Sequence, residues 1–313
     1  MASIVTVTMN PSVAAATTTT NVVANRKLRC DRPVHEGSGA GINVARAVQR
    51  LGGTARALFA AGGVTGARLT AMIANEGIEA QPIEIAGETA ESVNVVETSS
   101  GSYFRFVMDG PSLRDSEWTA ILEAVASLDP PPQFLVAGGS LPPGVPDDFY
   151  GRLSRLAAER DMRLIVDTSG PPLAHAVGAG TFPIKPNLTE FRELSGGSGI
   201  LNDFALQGAA SAFIAAGRTQ NVVISMGAAG AIVATKRGTL RIAAPTVAVK
   251  NRAGAGDSMV AGIVVALQRG ATVEEAVRFG IAAGSAAVMM PGTELCRRDD
   301  AERLFGEMQN TAA

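Results

Sequence analysis

The chain has 313 residues, 46% of them apolar and 18% charged. That fits one large α/β domain or two ordinary ones, and it argues against gross disorder. A formal net charge of −2 argues against a polyanion binder, because nucleic-acid domains carry a strong basic excess. It leaves room for a small local anion site.

The first segment, "MASIVTVTMNPS", alternates apolar and polar residues. No basic region precedes an apolar run, so it reads as a first strand rather than a signal peptide. Residues from about 12 to 36 are polar and threonine-rich, and Arg26, Lys27, Arg29 and Arg32 cluster in "NRKLRCDR". "GINVARAVQRLGG" has apolar positions at helical spacing and stops on Gly52 and Gly53. "ARALFAAG" reads as a buried strand, and "GARLTAMIANEG" as a helix ending on Gly77. Residues from about 88 to 108, "TAESVNVVETSSGSYFRFVM", read as two strands joined by a Ser-Ser-Gly turn. Then come three short apolar runs, "QFLVAGG", "RLIVDTSG" and "NVVISMG", with helical stretches between them.

This alternation predicts a mostly parallel sheet covered by helices on both faces. Ligands of such sheets sit beyond the carboxyl ends of the strands, where the small and polar residues collect here. The segments 12–36 and 88–108 are expected to form a small β lid inserted in a single domain spanning 1–313. An isolated lid sheet would leave open edges, which pairing across a homodimer would close. No run reaches about 18 uninterrupted apolar residues, so no membrane span is expected. Two cysteines, Cys30 and Cys296, make neither a disulfide framework nor a metal-type spacing, which points to a reducing, cytoplasmic setting.

Five stretches carry candidate chemistry. In "NRAGAGDSMVAG", Gly254, Ala255 and Gly256 run into one acid, Asp257. Glycines let backbone N–H groups approach an anion, and a helix start adds unpaired donors and partial positive charge. Such a cradle would hold a phosphoryl group in transfer, with Asp257 beside it as proton acceptor. A plain Gly turn with an acid in the first helical turn fits the same letters. In "KPNLTEF", Asn187 and Glu190 share a helix face and suit a magnesium ion on nucleotide phosphates. A capping box is the plainer reading. "EGSGAGINVARA" opens a helix on small residues with Asn43 one turn in, either a sugar-contacting loop or a simple helix entry. It lacks the dinucleotide-binding register. The "NRKLRCDR" cluster is either a solvated face or a phosphate anchor. "SMGAAGAIV" is a tight turn or the wall of an adenine or ribose site. Walker-type, H-E-x-x-H and G-x-S-x-G motifs are absent, and the few aromatics offer no stacking platform for single strands.

Together these residues resemble the ribokinase/PfkB family of sugar kinases. "GSGAGINVARAVQRLGG", "GGSLPPGV", "VDTSG", "KPNLTEF", "GAGDSMVAG" and "AAGSAAVMMPGTELC" fall in the family's order. "NRKLRC", "YFRFVM" and "RFGIAAGSAA" look closest to its phosphofructokinase branch. The resemblance implies a ribokinase-like three-layer α/β/α fold and ATP-dependent phosphorylation of a sugar phosphate, 6-phosphofructokinase activity being preferred. It implies Asp257 as base and Gly254, Ala255 and Gly256 as an anion hole. Lys185, Asn187, Ser225, Gly227, Gly230 and Ser285 would contact ATP, and Asn187 and Glu190 would organise Mg2+, through water. Gly39, Asn43 and Ser140 would hold the sugar, and Lys27, Arg29 or Arg105 its phosphate.

The departures fall on the acceptor side. The family's first strand ends in an Asn-Pro-x-x-Asp pattern whose acid bonds sugar hydroxyls, and Ala14 stands in its place here. Ala90 stands where the branch has a phosphate-binding arginine. Ser38 and Ala40 interrupt the glycines of the sugar loop. Asn251 and Arg252 replace a pair linked to a monovalent-cation (K+) site, for which Lys250 or Arg252 would substitute. A sister kinase for tagatose 6-phosphate, fructose 1-phosphate or another sugar or nucleoside is therefore an alternative, as is a nucleotide- or metabolite-binding protein with little turnover.

Overall fold

Alternate residues of the buried strands face different helices. In the computed structural model, which describes residues 3–177, 181–196 and 202–310, the strand Phe134–Gly138 is wholly buried. Phe134 and Val136 join one apolar cluster, and Leu135 and Ala137 join another. A period of two with both faces apolar is what a sheet covered on both sides requires.

The amino-terminal half runs β1 (Ile4–Thr8), β2 (Ser12–Thr19), β3 (Val34–Ser38), α1 (Ala40–Arg50), β4 (Ala55–Ala61), α2 (Gly63–Asn75), β5 (Glu79–Glu84), β6 (Ala90–Glu97), β7 (Tyr103–Val107), α3 (Asp115–Ala126), β8 (Phe134–Gly138) and α4 (Phe149–Glu159). The rest runs β9 (Arg163–Asp167), α5 (Gly170–Val177), β10 (Thr181–Ile184), α6 (Leu188–Leu194), α7 (Asp203–Ala215), β11 (Thr219–Ser225), β12 (Ala231–Thr235), β13 (Gly238–Ile242), α8 (Ala255–Gln268), α9 (Val273–Val288) and α10 (Arg298–Asn310). Among the described residues nine strands form the central sheet, in the order β13-β12-β11-β10-β9-β8-β1-β4-β5. Every pairing from β10–β11 across to β4–β5 is parallel, and only the β11–β12–β13 edge is antiparallel. Helices α1, α8 and α9 contribute to the cluster on one face, and α3 and α4 to that on the other, giving the three layers expected.

The edges are what the sequence pattern did not reveal. β5 reads "EAQPIE", with few apolar residues and Pro82 inside it. As an edge strand it needs only one set of partners and tolerates proline. β12 and β13 follow β11 by short turns, so the helical punctuation used to find parallel strands is missing there.

A second sheet of four strands, β3-β2-β6-β7, stands apart from the first. Its strands come from 12–19, 34–38, 90–97 and 103–107. The basic cluster falls in the connection 20–33, outside any strand. Arg46 on α1 is 7% exposed and ties this sheet to the body. It pairs with Glu36 of β3 at 3.3 Å and with Glu76 after α2 at 2.7 Å.

Helices α8 and α9 approach closely through glycines. A Cβ on Gly280 would lie 2.7 Å from the Met259 carbonyl oxygen, and one on Gly262 would lie 2.8 Å from the Gly280 Cα. Both helices are otherwise apolar on nearly every side. Gly280→Val should therefore destabilise the fold by about 1–3 kcal/mol through overpacking. Urea unfolding measures this, and an unchanged midpoint would deny the close approach.

Candidate active site

β1, β8, β9, β10 and β11 all point their carboxyl ends to one side, and the loops beyond them bring distant residues together. After β1, the Thr8 hydroxyl accepts the Ile42 N–H at 3.0 Å and so caps the entry to α1. Gly39 precedes this helix at φ 139°, and a Cβ there would meet the Thr8 methyl at 2.6 Å. Only glycine combines that backbone with that contact. Asn43 thus sits in the first turn of α1, its N–H donating to the Gly39 carbonyl at 2.8 Å.

Asn43 reaches across the site. Its Nδ2 donates to Asp257 Oδ2 at 2.8 Å, although 214 residues separate the two. Asp257 lies in the first turn of α8, which starts on Gly254 in the left-handed region at φ 72° without a side-chain cap. The first helical bond runs from the Ser258 N–H to the Gly254 carbonyl, 2.8 Å. The N–H groups of Ala255, Gly256 and Asp257 precede it and have no partner within the helix. Burial, the larger influence, pushes the Asp257 carboxyl up to about 6, against the Asn43 hydrogen bond. The Asp167 carboxylate pushes the same way, while Lys185 and Arg105 oppose it.

Lys185 follows β10 and is 6% exposed. Its Nζ pairs with Asp167 Oδ1 at 3.0 Å. Burial opposes its charge, but Asp167, with Glu190 and Asp257 farther off, holds it above the usual lysine range. A Cβ built on Gly256 would stand 3.9 Å from this ammonium, so the cation flanks the exposed start of α8. Asp167 drew no role from the sequence. Its signal was an acid closing a buried apolar strand at the ligand-facing end.

Asn187 and Glu190 form the capping box of α6. The Asn187 N–H donates to Glu190 Oε2 at 2.7 Å, and the Glu190 N–H to Asn187 Oδ1 at 3.0 Å. Burial raises the Glu190 carboxyl above its ordinary range. Among the described residues no three His, Cys, Asp or Glu side chains gather as a metal cluster. A magnesium ion therefore fits here only as one held mainly by phosphates and water, with the remaining oxygen of Glu190 and the Asn187 amide on its outer side. Asn187 is bridged to Ser225 at the end of β11. Gly227 and Gly230, at φ 56° and 89°, bracket the turn that follows. Ser285 is buried on α9, next to Gly284, where a Cβ would come within 3.0 Å of the Ala255 carbonyl oxygen.

The acceptor-side residues are spread more widely. Ser140, after β8, accepts from Asn10 Nδ2 at 3.2 Å. Ala14 and Ala90 are both buried on the small sheet. Lys27 and Arg29 are exposed in the 20–33 connection, and no side-chain bond joins them to Asp257 or Asn43. Arg105 on β7 is exposed yet near enough to act on Asp257. Lys250 and Arg252 are both exposed. Between them Asn251 organises the loop, its Oδ1 accepting the Arg252 and Ala253 N–H groups at 2.6 and 3.0 Å.

The pfkB family carbohydrate kinase model matches residues 7–300. An ATP-dependent 6-phosphofructokinase isozyme 2 of Mycobacterium tuberculosis is 41% identical over 302 residues, covering 96% of this chain and 88% of its own. The structure of Escherichia coli phosphofructokinase-2 in complex with potassium aligns at a TM-score of 0.93 and 37% identity, over 99% of this chain and 100% of that one. The tetrameric inhibited form of the same enzyme aligns at 0.92 and 36%, over 99% and 100%. A match over nearly the whole chain, with the kinase motifs gathered at one end of one sheet, means that this chain belongs to the PfkB family of carbohydrate kinases.

Proposed function

We propose that the protein is an ATP-dependent 6-phosphofructokinase that converts fructose 6-phosphate and ATP to fructose 1,6-bisphosphate and ADP. One observation carries the reading: the Asp257 carboxylate, raised by burial and held by Asn43, stands at an uncapped helix start beside the Lys185 ammonium. Asp257 takes the proton of the acceptor hydroxyl as its oxygen bonds the γ-phosphorus. The bond from that phosphorus to the bridging oxygen of ADP breaks in the same displacement. The free N–H groups at the start of α8 and the ammonium of Lys185 stabilise the charge on the moving phosphoryl oxygens. Gly39, Asn43 and Ser140 orient the sugar, while Ser225, Gly227, Gly230 and Ser285 line the nucleotide. Magnesium, organised through water by Asn187 and Glu190, supplies charge neutralisation on the phosphates.

Ala14 and Ala90 favour a second reading. Both are buried and apolar where the family's resemblance calls for polar sugar contacts, which suits a sister acceptor such as tagatose 6-phosphate or fructose 1-phosphate. The exposed apolar residues Val34, Phe106, Val107 and Met108, at the edge strands of the small sheet and just past β7, support a homodimer formed through that sheet. Free Cys30 and Cys296 support a cytoplasmic setting.

The assay is ADP release from Mg-ATP over fructose 6-phosphate, tagatose 6-phosphate, fructose 1-phosphate, fructose, ribose and adenosine. Fructose 6-phosphate should be the preferred acceptor, and Asp257→Ala should lower kcat by about 10²–10⁴-fold. Turnover of another acceptor alone would transfer the assignment to the sister reading. Because the base must be ionised, kcat/KM should rise with pH through about 6. The same raised value means that ionised Asp257 strains the fold, so its stabilising contribution fades as pH climbs through about 6. Asp257→Asn should then melt higher than wild type at pH 8 and lose that advantage below pH 4.

If the charge of Lys250 or Arg252 stands in for a monovalent cation, activity should be equal in choline chloride and potassium chloride. A strict potassium requirement would overturn this substitution. Light scattering should give at least a dimer, and Phe106→Glu with Val107→Glu should shift it to monomer.

A further inference from the structure

We infer that Glu36 and Thr293 are positioning residues of the phosphoryl transfer: through their bond, one carboxylate sets the start of α8 in place against the helix that orients the base. The inference rests on the kinase reading above. It adds two side chains that lie outside the contacts proposed there to base, nucleotide and sugar.

Helix α1 turns three polar side chains to one side. Asn43, Arg46 and Arg50 are three and four residues apart, a spacing that stacks them along one face of a helix. Asn43 donates to Asp257 Oδ2 at 2.8 Å. Arg46 pairs with Glu36 Oε2 at 3.3 Å. Arg50 donates to the Leu295 carbonyl at 3.2 Å. The helix that orients the base therefore also grips β3 of the small sheet and the segment 289–297 between α9 and α10.

That segment braces the start of α8. Leu295 packs on Gly254, where a Cβ would stand 2.5 Å from Leu295 Cδ2. The Cys296 N–H donates to the Ser258 hydroxyl at 3.4 Å. In the chain, Gly254 and Ser258 flank the free N–H groups of Ala255, Gly256 and Asp257. Pro291 and Gly292 are exposed, whereas Leu295 and Cys296 are buried, so Thr293 stands where the segment enters the interior. There its hydroxyl donates to Glu36 Oε1. Glu36 thus commits one oxygen to α1 and the other to the brace behind α8. Arg46 already has the Glu76 carboxylate at 2.7 Å, so the second acid is not required to neutralise it. What Glu36 adds is a joint between sheet, helix and segment. The distance from base to anion cradle is fixed across this joint, and a displacement of about 1 Å at such a site can cost roughly a hundredfold in rate.

The test uses Thr293→Val, which keeps the shape and removes the hydroxyl, with Thr293→Ser, Glu36→Ala and the double variant Glu36→Ala/Thr293→Val. For each, kcat and the KM values for ATP and acceptor are measured. Labelling of Cys296 by a thiol reagent is timed in a Cys30→Ser background, where it is the sole thiol. Thr293→Val should lower kcat about tenfold and move either KM by less than about twofold, because geometry is lost and not ground-state binding. It should speed Cys296 labelling roughly tenfold, since a lost hydrogen bond to a charged group shifts local opening on that scale. Thr293→Ser, which keeps the hydroxyl, should match wild type in both readouts. The double variant should be no slower than Glu36→Ala alone, because both changes break the same bond. If Glu36→Ala does not fold, the valine and serine variants decide the matter. An unchanged kcat in Thr293→Val, equal losses in the valine and serine variants, additive losses in the double variant, or a kcat loss without faster labelling would each overturn the inference and leave the kinase reading standing. No turnover of any acceptor by the wild type would overturn both.

Discussion

The site depends on a part-buried carboxylate without a cation bonded to it. Among the described residues Asp257 has one side-chain hydrogen-bond partner, the neutral amide of Asn43. The nearby ammonium of Lys185 is already committed to Asp167. Had Lys185 paired with Asp257 directly, the acid would be driven toward permanent ionisation and weak basicity. By taking the lysine, Asp167 leaves Asp257 poised near 6 while the positive charge remains beside the start of α8. Two acids and one base thus divide two tasks, proton acceptance and anion stabilisation, by which pair is in contact.

The fold supplies this division by backbone placement. Asp167 closes β9, and Lys185 opens the loop after β10, the neighbouring parallel strand, so adjacent strands deliver the ion pair. Asp257 arrives on α8, whose position is set by its glycine contacts with α9. Asn43 arrives on α1, whose start is fixed by Thr8 at the end of β1. Every group stands at an element end, within a turn of rigid sheet or helix, which suits a reaction governed by positioning.

Much of this was legible in the order of residues, and the failures have physical causes. Buried parallel strands announce themselves as short apolar runs, so β4, β8, β9 and β11 stood out, and β1 stood out by its alternation. β5 and β13 are edge strands, half as buried and correspondingly mixed in composition. The glycines before Asp257 marked the helix start, but no local pattern could link Asp257 to Asn43. Asn187 and Glu190 cap their helix as their spacing alone suggested, and a metal-associated role is compatible with that cap rather than revealed by it. The sequence displays the charges of Lys250 and Arg252 but not their exposure, and the side chain that bonds their loop is the uncharged Asn251 between them.

Arg46 has a mechanical consequence. A buried guanidinium shared by two carboxylates and the Gly37 carbonyl cannot let go of any one of them without stranding charge in the interior. The small sheet is consequently anchored at β3, while among the described residues no side-chain ion pair or hydrogen bond ties its far edge, β7, to the body. Arg105 therefore projects its charge from the least fastened strand of the sheet, and Glu36 sits on the most firmly held one.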